Sequence, residues 1–197
     1  MKVIGITGGI GSGKSALLSY IEENYNCKVI LADLVAHQAM QPTGLCYVPL
    51  IELLSAEILD EDQNINHSKM ALKIFQNPEL RVKVNSIVHP AVKKMIISIM
   101  NEEKARNAID FLFIEAALLI EDGYLNIVDE MWYVYAEESI RRKRLKEARN
   151  YSEEKIDSII ATQLTESDFR KHCEVVIDNS GSLSAACEQI DRILGEK

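Results

Sequence analysis

No stretch of this 197-residue chain approaches the ~20 consecutive apolar residues that a membrane-spanning helix requires, so an integral membrane protein is not expected. The first residues, Met1-Lys2-Val3-Ile4-Gly5, lack the basic-then-apolar pattern and the small-residue cleavage site of a secretory leader, and the expected location is the cytoplasm. Cysteine is scarce. Cys27, Cys46, Cys173 and Cys187 lie far apart and form no C-x-x-C pair, and His37, His67, His89 and His172 do not complete a zinc spacing. Free, mostly buried thiols in a reducing compartment are the expectation. Basic residues are outnumbered, 22 against 30 acidic, for a formal net charge of -8. General nucleic-acid binding, which needs a broad basic surface, is not expected; a local pocket for a small anion remains open. Repeats, low-complexity segments and flexible linkers are also missing.

The chain does have an ordinary globular composition, 47% hydrophobic and 26% charged, and enough length for one compact domain or one domain with an insertion. Five short apolar runs read as strands: Lys2–Thr7, Lys28–Ala32, Asp110–Ile114, Glu130–Tyr135 and Glu174–Asp178. Most are apolar on both faces, as suits central strands of a parallel sheet covered by helices. Helical periodicity fills Gly13–Glu23, Pro90–Asn101, Glu137–Ala148, Glu153–Leu164 and Leu183–Leu194. This alternation predicts an α/β fold with right-handed crossovers. The gap between the second and third strands is too long for one crossover helix. It reads as a helical insertion, with Asn77-Pro78 starting one helix and His89-Pro90 marking a break and restart.

The strongest chemical signal is Gly8-Gly9-Ile10-Gly11-Ser12-Gly13-Lys14-Ser15, which fits G-x-x-x-x-G-K-[ST]. Glycines allow a tight backbone whose N–H groups converge on phosphate oxygens, and the following helix aims its positive dipole end at the same anion. Lys14 is placed to reach the β- and γ-phosphates and Ser15 to ligate Mg²⁺. Asp33 stands at the C-terminal end of the second strand, on the side where parallel α/β sheets bind ligands. It could take a proton from an attacking hydroxyl or cap a helix beginning at Leu34. Glu115 closes a hydrophobic strand where a carboxylate could hold Mg²⁺, or serve as a more distant capping acid. The run Arg141-Arg142-Lys143-Arg144 with Lys146 and Arg149 concentrates positive charge in an acidic protein. It could bind phosphates, or form a solvated helix suited to its own dipole. His89 could contact substrate or serve as a structural hydrogen-bonder. Asn179 could lie near a nucleotide base or belong to a plain turn.

Taken together, Thr7–Ser15, Val29-Ile30-Leu31-Ala32-Asp33, Ile74-Phe75, Val88-His89-Pro90, Leu118-Leu119-Ile120-Glu121, Arg144-Leu145 with Arg149, Gln163 and Val176-Ile177-Asp178-Asn179 resemble the bacterial dephospho-CoA kinases, in order and spacing, over nearly the whole chain. The resemblance implies a P-loop core with a parallel five-stranded sheet flanked by helices. It also implies a helical substrate-binding insertion at about 34–108 and a helical lid at about 137–168. It implies transfer of the ATP γ-phosphoryl to the ribose 3′-hydroxyl of dephospho-CoA, with no nucleic-acid or membrane partner. By residue, Asp33, Lys14 and Arg144 carry the catalytic roles. Gly11, Ser12, Gly13, Lys14, Ser15, Ala16, Arg144 and Asn179 bind ATP. Thr7, Asp33 and His89 bind the acceptor. Ser15 holds Mg²⁺, with Glu115 a further candidate. The chain departs from the family pattern in several places. Leu31 stands where an acid is usual, Ala16 where a hydroxyl is usual, and Glu115 and Ala117 where Asp and Pro are usual. An extra residue near Ser139–Arg144 leaves Arg141 and Arg142 as alternatives to Arg144.

Overall fold

The computed structural model describes residues 1–75 and 77–195. Two compact units share the chain: Met1–Val29 with Asn107–Lys197, and Ile30–Arg106.

In the first unit β1 (Lys2–Thr7) lies between β3 (Phe111–Glu115) and β4 (Glu130–Tyr135), and β4 pairs with β5 (Val175–Asp178), all in parallel. With β2 (Cys27–Leu31), the sheet order is β2-β3-β1-β4-β5. Val3, Ile4, Ile6, Leu112, Phe113, Ile114, Met131 and Trp132 are almost completely buried. Burial on both faces is why these strands read as continuous apolar runs rather than alternating ones. Helix α1 (Lys14–Asn24) buries Leu17, Leu18 and Ile21. It packs on α9 (Leu183–Leu194), whose Asp191 carboxylate accepts from both Tyr20 and Tyr25 hydroxyls. Three helices fill the stretch between β4 and β5: α6 (Glu138–Arg149), α7 (Glu153–Ile160) and α8 (Glu166–His172). Thr165 and Asp168 close α8 with a reciprocal capping box, and Phe169 stacks on Tyr133 of β4.

The second unit is helical apart from the close of β2 and one antiparallel bridge, Leu59 to Ile65. Helices α2 (Ala32–Ala39), α3 (Tyr47–Leu54), α4 (His67–Phe75) and α5 (Pro78–Arg106) surround Ala39, Cys46, Leu50, Leu54, Ile58, Met70 and Val84.

Three sequence expectations change here. Strand β2 ends at Leu31, and α2 starts at Ala32 without a loop. Asp33 is therefore neither the last strand residue nor an N-cap, because Leu31 holds the cap position and Asp33 falls in the first helical turn. His89-Pro90 is not a break, since α5 runs unbroken through Pro90. A proline removes one helical N–H and crowds the carbonyl four residues earlier. That local cost is outweighed by the buried row Val84, Val92, Ile96 and Met100, which lies on both sides of it. Finally, α8 is a separate helix that the apolar periodicity does not reveal; the capping box at Thr165 is what starts it. Asn77-Pro78 does begin a helix, with Asn77 Oδ1 accepting the Leu80 N–H at 3.0 Å.

Candidate active site

The phosphate loop joins β1 to α1 in the first unit. Its fold depends on backbone that side chains disfavour. Gly8 has φ 150°, and a methyl there would come within 2.5 Å of the Val134 carbonyl. Gly13, at φ 91°, faces Asn179, and a methyl carbon at Gly13 would lie only 2.3 Å from Nδ2. Any side chain at either point would meet both strain and a close neighbour. The Ser12 N–H returns to the Gly9 carbonyl at 3.1 Å, and the Ala16 N–H to the Gly13 carbonyl at 3.1 Å.

Lys14 Nζ lies back across the loop, donating to the Gly8 carbonyl at 2.8 Å. It also stands 3.7 Å from Glu115 Oε1. Burial pulls this ammonium below the usual lysine range, and the Glu115 carboxylate acts in the opposite direction. The two residues meet because β3 neighbours β1 in the sheet, which puts Ile6 in register with Glu115. Ser15 and Ala16 follow in the first turn of α1, both exposed.

Two arginines of α6 reach the loop, in different ways. Arg144 Nη1 donates to the Ser12 carbonyl at 3.2 Å, and its Nη2 donates to the Asn179 carbonyl at 2.9 Å. Arg141 lies over Gly9, whose hypothetical Cβ would fall 1.8 Å from Nη1. The Arg141 Nε is buried without a hydrogen-bond partner among the described residues. Arg142 turns away into ion pairs with Glu138, Glu153 and Asp157 at 2.8, 3.2 and 2.6 Å, joining α6 to α7. Of the three alternatives, then, Arg142 serves the helix pair, and Arg141 and Arg144 serve the loop.

Asn179, just past β5, is 3% exposed and donates from Nδ2 to the Ser12 carbonyl at 2.7 Å. That bond gives it a part in holding the loop. Gln163 belongs to the family resemblance without being a candidate site residue; its Oε1 accepts the Ile10 N–H at 3.2 Å. Nothing in its local sequence signals this, since the contact spans 153 positions. Thr7 Oγ1, Ser12 Oγ and Asn179 Oδ1 are, like Arg141 Nε, buried without partners among the described residues. Buried polar atoms rarely stay unpaired, and four of them around one glycine loop mark a place built for a polar ligand. Asp33 and His89 belong to the second unit. Asp33 is exposed in the first turn of α2, and His89 is half-buried on α5.

A glycine loop at the end of a central parallel strand, a lysine folded over it and arginines from a later helix define a P-loop phosphotransferase. The chain belongs to the dephospho-CoA kinase family, whose model matches residues 2–185. A dephospho-CoA kinase of Carboxydothermus hydrogenoformans is 35% identical over 98% of this chain and 93% of its own length. One from Dehalococcoides mccartyi is 33% identical over 91% and 89%. Among solved structures, a Thermus thermophilus protein superposes with a TM-score of 0.80 at 26% identity, covering 98% of this chain and 96% of that one. The fold alone is shared with a dephospho-CoA kinase from Campylobacter jejuni, with a TM-score of 0.74 at 21% identity over 98% and 96%.

Proposed function

We propose that the protein transfers the γ-phosphoryl group of ATP to the ribose 3′-hydroxyl of dephospho-CoA, giving coenzyme A and ADP. The observation that carries this reading is the intact loop with Lys14 and two arginines upon it, in a chain that matches the dephospho-CoA kinase family over residues 2–185. The loop amides of Gly11, Ser12 and Gly13 would cradle the phosphates, with Ser15 and Ala16 adding amides from the helix start. Lys14 would leave the Gly8 carbonyl for the β- and γ-phosphates and meet the charge that develops during transfer. Arg144 and Asn179 keep the loop carbonyls engaged and so hold its amides pointing at the anion, while Arg141 adds charge from above Gly9.

Asp33 is proposed as the base. The bond between the 3′-oxygen and the γ-phosphorus forms, the bond from that phosphorus to the β–γ bridging oxygen breaks, and the hydroxyl proton passes to the Asp33 carboxylate. Thr7 and His89 are assigned to the acceptor in the same proposal.

The oxygen donors suit Mg²⁺. This ion takes one or two protein oxygens, with phosphate and water oxygens completing the octahedron. The Ser15 hydroxyl and the Glu115 carboxylate, already paired with Lys14, are donors of that kind. No group of three His, Cys, Asp or Glu side chains suited to a metal occurs among the described residues, and a nucleotide-borne ion needs none. When bound, Mg²⁺ neutralises phosphate charge. Work in the cytoplasm belongs to the same proposal and accords with four free cysteines. No described helix is long and apolar enough to cross a membrane.

The test is a coupled ADP-release assay with dephospho-CoA set beside nucleosides and nucleotides. Turnover with dephospho-CoA at least 100-fold above any other acceptor is expected, on the order of what a built polar site achieves. Preference for a nucleoside or nucleotide would replace the acceptor assignment.

A further inference from the structure

Asp33 and His37 are one turn apart on α2 and share a face of that helix. The His37 imidazole stacks on that of His67, the first residue of α4, with centroids 4.7 Å apart and planes inclined by 13°. Both residues are exposed, so hydrophobic burial does not account for the pair. Among the described residues no hydrogen bond or ion pair engages either ring, and their N–H donors are unspent. Stacking places two protonatable rings face to face, where each opposes the other's charge. The His67 pKa is lowered, first by desolvation and then by His37. A cation at the first position of α4 is also opposed by the helix dipole. A bound anion would relieve both effects.

We infer that His37 and His67 together bind the 5′-diphosphate of the acceptor nucleotide; this rests on Asp33 being the group that receives the 3′-hydroxyl proton. One helical turn advances about 5.4 Å, a span that a single ribose covers between its 3′-oxygen and its 5′-phosphorus. With the hydroxyl at Asp33, the diphosphate reaches the next turn, where His37 stands and His67 leans on it. Imidazole N–H groups donating to diphosphate oxygens form charge-assisted bonds. The pair would thereby favour a diphosphate-bearing acceptor over a bare nucleoside.

Steady-state kinetics test this with dephospho-CoA and with adenosine, which offers the ribose and base without the diphosphate. His37→Ala and His67→Ala should each raise KM for dephospho-CoA about tenfold, the scale of one charge-assisted hydrogen bond, with the loss in KM rather than kcat. The KM for ATP should stay near wild type. The selectivity of kcat/KM for dephospho-CoA over adenosine should fall by the same factor. His37→Phe, which keeps a stacking ring but no donor, should behave like His37→Ala, and His37→Arg should recover most of the loss. An unchanged KM in both alanine variants overturns the inference. So does rescue by His37→Phe, which would make the contact a stack on the base, or an equal loss with adenosine. Failure of the Asp33 assignment reads separately, as an unchanged kcat in Asp33→Asn.

Discussion

At the scale of single residues, the loop lysine is a charge kept under tension. Lys14 is largely withdrawn from solvent, its pKa is lowered by desolvation, and Glu115 only partly offsets the effect. A lysine whose folded-state pKa lies below its unfolded value destabilises the fold at neutral pH. That cost is relieved as pH rises from the folded value towards the ordinary ~10.4. For the proposed role in catalysis the sign reverses, because only the protonated form would meet phosphate. The alkaline limb of kcat/KM for ATP is therefore expected below ~10.4, as a pH–rate profile would show. Lys14→Ala should cost several kcal/mol of transition-state stabilisation while the circular-dichroism spectrum stays native. Near-normal turnover in that variant would remove the loop from the mechanism. Asp33→Asn makes a contrasting case. It preserves size and loses basicity, so turnover with dephospho-CoA should fall ~10²–10⁴-fold while calorimetric ATP affinity changes little. A large loss of ATP binding would instead make Asp33 a metal-side residue.

At the scale of elements, α6 sorts its arginines by direction. Leu145 is its buried anchor. Arg141, one turn earlier, lies on the same face and over the loop, whereas Arg142 points to α7. Arg141→Ala should lower kcat by ~10²–10³-fold, the scale of one lost charge donor, with little change in melting. Arg142→Ala should do the reverse, lowering the melting temperature slightly and leaving turnover within a few-fold. Equal kinetic losses in the two variants would mean that the run acts as a diffuse charge. Helix α5 offers a test of a different kind. Pro90 is exposed in the interior of an otherwise regular helix. Pro90→Ala restores an N–H for the Ser86 carbonyl and should stabilise by roughly 1–3 kcal/mol. Differential scanning calorimetry would register this as a rise of several degrees. A fall would mean that the surrounding structure requires the proline.

At the scale of the whole molecule, metal should matter for the reaction and not for the fold. No metal-binding group of three side chains is found among the described residues, while the loop's buried polar atoms are placed to take a ligand. A chelator should abolish turnover and leave the melting temperature of the nucleotide-free protein unchanged. ATP with Mg²⁺ at ~100 times its Kd should stabilise by about 2.7 kcal/mol, readable in the same melting experiment. Chelator-induced unfolding would point to a structural metal.

The strands and the phosphate loop were legible in the residues alone because their causes are local. Doubly buried strands are continuous apolar runs, and a loop with positive φ at Gly8, Gly11 and Gly13 must carry glycine there. The sequence by itself therefore determined the α/β class, the loop and the residue types around it. Other features depended on distant partners. The Lys14–Glu115 pair exists because β3 crosses over to neighbour β1, and Gln163 reaches Ile10 from 153 positions away. Whether Pro90 broke a helix was decided by the packing on both sides of it, and the position of Asp33 by a strand passing straight into a helix. Which of the three arginines face the loop, Arg141 and Arg144 but not Arg142, depended on how α6 is anchored through Leu145. Neighbouring residues on a helix point about 100° apart, so only the docked face, a tertiary fact, selects among side chains of identical chemistry.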